Sequence, residues 1–398
     1  MEDKSMKKKA VVLLLAAMMA MSMTAGAEET EGVQTEAGQA AEAGALSDKW
    51  SDYQIQVDDT VYQFPMLYEE FLGLGWTTDE VEGVELEPYQ YGSFRFKKDD
   101  VKCSVYILNL GKNTIPASEC IVGGMSIDAY DWDVTKGTIT LPGGIVRGQA
   151  DVETIKTAYG TPSDTYEGDL YTELSYETDY NCSVEMQVGK ESGVLEDIVI
   201  ENFVEPEGFD PGEVSTEVPE SVTAYVKPQA LGTDLTAYEI ELDGQVYTLP
   251  VPVSVLVADG WELDENDSDP EIAAGYFGWV TLRKGGQEIH ETVRNEEKYA
   301  TIPQNCWMEE LTVGGYTLEA EGSLPGGIKQ GMTEADFLKV LEDAGMEYSV
   351  EESGDYAYYR FNEGESYDQY LQAVICRDED GHFPQDTVME ISCSHSAR

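Results

Sequence analysis

Three histidines, six cysteines and 78 acidic side chains are the material for chemistry in this 398-residue sequence. His290, His382 and His395 contain no His-x-x-x-His pair, the spacing that sets two imidazoles on one helix face for zinc. No Gly-x-Ser-x-Gly elbow is present to raise a serine nucleophile. Cys103, Cys120, Cys182, Cys306, Cys376 and Cys393 carry no local signature of a catalytic thiol. Four of them, Cys103, Cys182, Cys376 and Cys393, fall in strand-like segments, where buried or bridged cysteines are ordinary. Their even number permits up to three disulfides in an oxidising compartment, with the connectivity left open. Carboxylate pairs at glycosidase spacing arise by accident in so acidic a chain.

Two oxygen- or glycine-rich segments remain. Asp264-Glu265-Asn266-Asp267-Ser268-Asp269-Pro270-Glu271 could offer oxygens to calcium, yet Asp269 stands at the glycine position of an EF-hand loop and Gly275 at its closing glutamate. Leu-Pro-Gly-Gly-Ile occurs at 141–145 and again at 324–328 without the Lys-Ser/Thr of a phosphate loop, and reads as a turn. No residue is therefore assigned a catalytic, cofactor-binding or metal-binding role, and no cofactor is expected.

The elements that would position any site follow from the chain's organisation. Lys7, Lys8 and Lys9, the apolar run from Ala10 to Met21 and Ala25-Gly26-Ala27 predict a cleaved signal peptide over 1–27 and a secreted protein. The apolar run falls short of the ~20 residues a spanning helix needs. Residues 28–45, rich in Glu, Ala, Gly and Thr, predict a disordered stalk. The net charge of −54 disfavours nucleic acid and anionic membranes as partners and reads first as a solubility trait, with a cationic partner or calcium as the functional alternative.

Beyond residue 45 the chain repeats itself. Tyr53-Gln54-Ile55-Gln56-Val57-Asp58 returns as Tyr238-Glu239-Ile240-Glu241-Leu242-Asp243. At a constant or nearly constant separation Pro65 matches Pro250, Trp76 matches Trp261, Cys120 matches Cys306 and Gly148 matches Gly331. So many landmarks in one order predict two tandem homologous domains, 46–204 and 230–398, joined by an acidic linker over 205–229 with four prolines.

Within each copy, polar–apolar alternation predicts strands at 53–57, 61–64, 92–97 and 101–109, then 170–177, 182–188 and 195–203; the second copy has the last three at 355–362, 369–376 and 386–393. Leu67, Phe71, Leu72 and Leu74 predict a short helix ended by Gly75. Val152, Ile155 and Tyr159 predict another, matched by Phe337, Val340, Leu341 and Ala344 behind the capping sequence Thr333-Glu334-Ala335-Asp336. The fold class expected is α+β: two domains, each an antiparallel sheet with short helices packed on one face. Trp76 and Trp261 are expected at the helix–sheet junction. Tyr89, Tyr91, Tyr356 and Tyr358 are candidates for an exposed aromatic row that takes glycan or peptide.

Gly331-Met332-Thr333-Glu334-Ala335-Asp336-Phe337 and Tyr159-Gly160-Thr161-Pro162 resemble the BamE/SmpA module and the related β-lactamase-inhibitor-protein fold. The resemblance implies a non-enzymatic binding scaffold and assigns no functional residue. The expected function is thus a secreted interaction protein of two similar modules, with a protein, peptide or glycan partner. An extracellular hydrolase and an acidic calcium-dependent surface protein are the alternatives.

Overall fold

The structure, a computed structural model, describes residues 45–128, 136–315, 321–364, 369–378 and 382–396. The predicted signal peptide 1–27 and residues 28–44 of the expected stalk lie outside the described residues. From Ala45 onward the chain forms one compact unit.

Alternation and turn chemistry set the local elements. Gln54–Val57 buries Ile55 and Val57, and pairs with Thr60–Gln63 so that Ile55 faces Tyr62. Glu239–Leu242 and Gln245–Thr248 do the same, with Ile240 facing Tyr247. In the second hairpin Asp243 and Gly244 have φ of 54° and 74°, the two left-handed residues a type I′ turn needs. A third strand extends each hairpin, Ile139–Leu141 in the first half and Gly322–Leu324 in the second. Each runs into its Leu-Pro-Gly-Gly turn, where the glycines reach φ of 68° to 78°. Residues with a Cβ rarely adopt that conformation, so the repeated motif is backbone geometry.

The first half then builds an eight-stranded sheet. Ile121–Ile127 lies in it as one strand between Val101–Leu108 and Leu195–Asn202. In the second half the corresponding stretch is split. Trp307–Met308 pairs with Gln287–Arg294, while Glu310–Gly314 pairs with Val388–His395. The result is two five-stranded sheets in place of one large one. Glu291 stands beside this break, on the core side between buried Ile289 and Val293. The first half has buried Val105 at the corresponding place, opposite Phe94 as Glu291 is opposite Val280.

The expected α+β class is overturned. Among the described residues the protein is β-rich, 44% strand against 15% helix, in six antiparallel sheets. Five α-helices occur among the described residues: α1 Tyr68–Gly73, α2 Val152–Tyr159, α3 Glu220–Thr223, α4 Val253–Ala258 and α5 Glu334–Ala344. The predicted stripes do form α2 and α5, but α2 buries only Ile155, and α5 only Phe337 and Leu341. An eight-residue helix is about 12 Å long, whereas seven strands span roughly 30 Å, so a helix of this size covers a minor part of the sheet. The hairpin sheet does most of the covering. Ile55, Tyr62, Ile139 and Leu141 share a core with Val105, Met125, Ile198 and Ile200 of the large sheet's inner face. A second core serves the second half.

Helix α1 also departs from expectation. Leu67 belongs to a short strand, Met66–Leu67, and is exposed, as is Leu74. Phe71 alone of the four expected residues is fully buried, stacked on Trp76 at 5.4 Å. The segment 205–229 lies against both halves: the Pro211 carbonyl accepts from the Lys112 N–H at 2.9 Å, and the Ser215 N–H donates to the Ala300 carbonyl at 2.8 Å.

Candidate functional site

The outer face of the eight-stranded sheet gathers the polar residues left over once the inner face is buried. Pairing register places them in rows. One row runs Ser175, Glu185, Val199, Ser126, Ser104, Arg95 across six strands. The next runs Glu177, Ser183, Glu201, Gly124, Tyr106, Ser93. A third begins Glu173, Gln187, Asp197. The face is therefore acidic on strands Tyr171–Asp179, Cys182–Gly189 and Leu195–Asn202, and floored by small residues at its centre. Gly124 is required there, because a Cβ would lie 2.0 Å from the Ile200 carbonyl oxygen.

Aromatic rings wall one side of this floor. Tyr91 packs on Tyr106 at 6.2 Å and on Phe203 at 5.1 Å, while remaining 55% exposed. The carboxylates are crowded. Burial raises the Glu185 carboxyl above its ordinary range, and Glu173, Glu201, Glu177 and Asp197 raise it further. Burial also raises Glu201. The Tyr106 hydroxyl is pushed to about 12 by burial and by Glu201. Gln187 donates to Glu173 at 2.8 Å. Among the described residues no lysine or arginine forms an ion pair with Glu177, Glu185 or Glu201. An acidic shelf with unneutralised carboxylates beside an open aromatic wall can accept a cation flanked by apolar or planar groups.

The residues singled out in the sequence are scattered. Trp76 and Trp261 are buried, the latter with the Lys284 ammonium 5.6 Å from its ring. Tyr89 is exposed and edge-on to Tyr276 at 5.6 Å, apart from the second-half pair. Tyr356 and Tyr358 are half-buried on a small cluster of Val374, Cys376 and Met389. His290 stacks near Trp279 and its Nδ1 is 3.0 Å from the Thr281 hydroxyl. His395 stacks on Tyr238, and its Nδ1 meets the Leu249 carbonyl at 2.9 Å. In the first half Asn202 fills that place, donating to the Phe64 carbonyl at 2.7 Å.

The acidic loop 264–271 turns the oxygens of Asp264, Asp267 and Asp269 onto its own sheet edge, while Glu271 pairs with Lys112 of the first half. Asp269 accepts from the Trp279 N–H at 2.7 Å, Asp267 from the Thr281 hydroxyl at 3.2 Å, and Asp264 pairs with Arg283 at 2.7 Å. All six cysteines are buried and free. Burial pushes the Cys120 and Cys306 thiols up to about 12 and raises Cys103, Cys182 and Cys393 as well. Among the described residues no three His, Cys, Asp or Glu side chains are grouped to hold a metal ion.

The acidic shelf escaped the sequence reading because its carboxylates alternate with buried residues along three consecutive strands and meet only through pairing register, while Tyr91 and Tyr106 of its aromatic wall lie about 80–110 positions before Glu185 and Glu201. The available signal was the polar half of each alternating strand. Compared with known proteins, the chain matches no family model, no curated protein and no solved structure.

Proposed function

We propose that this chain is a secreted, non-enzymatic interaction protein of two similar modules, and that the outer face of its first sheet binds a cationic segment of a protein or peptide. The supporting observation is Glu185: desolvated, ringed by four other carboxylates and, among the described residues, in no ion pair. A lysine or arginine placed over Glu185 and Glu201 relieves that repulsion, with its stem or guanidinium plane against Tyr91 and Tyr106. The N-terminal signal supports export, and the absence of a motif for chemistry in the sequence supports recognition over turnover.

Titration calorimetry of the purified protein with peptides of matched length, Lys/Arg-rich or Asp/Glu-rich, tests this reading. Binding of the basic peptide alone is expected, with proton release that grows as pH falls toward the raised carboxyl range, and E185Q/E201Q weakening it about tenfold. Equal binding of both peptides, or an unchanged affinity in E185Q/E201Q, rejects it.

A further inference from the structure

We infer that the two halves meet through an isologous, pseudo-twofold interface, so that the natural partner of this junction surface is a second module of the same kind. The evidence lies in reciprocal contacts between corresponding residues. Leu86 pairs with Ile115 in the first half as Ile272 pairs with Thr301 in the second. This makes Glu85 and Glu271, the residues just before, structural equivalents.

Asn109 and Asn295 are equivalents too. Each side-chain amide donates to the carbonyl four residues on, Asn113 at 2.8 Å and Tyr299 at 2.7 Å, and each carbonyl oxygen accepts the N–H two residues on. The loops they organise carry Lys112 and Lys298 at matching places.

Across the junction these equivalents exchange partners. Lys112 of the first half pairs with Glu271 of the second, and Lys298 of the second pairs with Glu85 of the first. Two backbone bonds also cross at these loops, the Lys298 carbonyl accepting from the Thr114 N–H at 2.9 Å and the Lys112 carbonyl from the Ala274 N–H at 3.0 Å; their donors are not equivalents, so the reciprocity is carried by the two ion pairs. Such i-to-j and j-to-i exchange is the defining property of a twofold contact between like subunits. A heterologous packing of two domains that merely share a chain has no reason to produce it. The protein is thus an intramolecular dimer of modules. The symmetry is broken where segment 205–229 docks: Gly111 sits under the Pro211 carbonyl, where a Cβ would come within 3.0 Å, and Glu297 occupies the matching place in the second half.

The test uses the whole chain with a protease site inserted at Gly208, an exposed turn where an added side chain meets nothing within 4 Å. After cleavage the two halves are expected to sediment as one particle at micromolar concentration. They should also exchange into mixed particles with separately labelled, cleaved protein. K112E/K298E, which sets like charges face to face at both contacts, should raise the dissociation constant of the cleaved halves about tenfold. Adding E85K and E271K should restore it. K112E alone should exceed K298E alone, since the Lys112 side chain is 15% exposed and that of Lys298 72%. Separation of the cleaved wild-type halves at micromolar concentration overturns the inference, as does a dissociation constant unmoved by K112E/K298E. Segment 205–229 stays largely on the second half in every variant, so its contribution cancels in these comparisons.

Discussion

Glu291 is a carboxylic acid placed where the first half keeps a valine, and it should make the second half's stability depend on pH in a sense opposite to an ordinary paired carboxylate. Burial, and then the neighbouring Glu310, raise its carboxyl to about 8, against roughly 4.3 in an unfolded chain. Between those values the folded protein holds about one proton more at this site than the unfolded chain. Its contribution is fully present below the unfolded value and is lost as pH rises through the folded one. The slope is at most about 1.4 kcal/mol per pH unit, so the loss from pH 5 to pH 7 is on the order of 2 kcal/mol. E291Q keeps shape and hydrogen-bonding capacity but cannot ionise. Urea unfolding of wild type and E291Q at pH 5, 6 and 7, at one salt concentration, isolates the effect. Glu185, Glu201 and Glu390, also raised by burial, are common to both proteins and cancel in the difference. The wild type should lose about 2 kcal/mol relative to E291Q across that range. Parallel profiles for the two proteins would refute the placement of Glu291 in the sheet break.

Three further outcomes follow from particular contacts. G124A should lower the unfolding free energy by about 2 kcal/mol or more, because the added methyl meets the Ile200 carbonyl, which cannot move without disturbing its strand; a midpoint shift in urea measures it. N202A and H395A should each cost about 1–3 kcal/mol by leaving the Phe64 or Leu249 carbonyl unpaired, and H395N, restoring a donor, should recover part of the loss. The six cysteines should be nearly inert to a thiol reagent such as Ellman's in the native protein and all react in denaturant, since all six are buried away from the reagent; rapid native labelling of two or more would contradict it.

Local chemistry in the sequence accounts for much of what the structure contains. Strands predicted at 92–97, 182–188 and 369–376 appear as Tyr91–Lys98, Cys182–Gly189 and Gln369–Cys376. The Asp243-Gly244 turn, the Thr333 cap and the Gly345 stop also appear, with Thr333 accepting the Asp336 N–H at 3.2 Å and Gly345 at φ 66°. These depend on a few neighbouring residues, and alternation, capping and left-handed backbone are decided at that range. The layer that covers each sheet is not. The apolar stripes of α2 and α5 predict a helical layer, but a stripe shows only that a helix buries something, without saying how much of the sheet it covers. Only assembly put the Ile55–Tyr62 hairpin over Val105 and Ile200, split the second sheet beside Glu291, set Glu185 among carboxylates from other strands and brought Lys112 to Glu271. Those relations join residues from eight to more than a hundred positions apart. Pairing across such distances is selected by the total burial and register of many strands at once, which no single stretch of chain encodes.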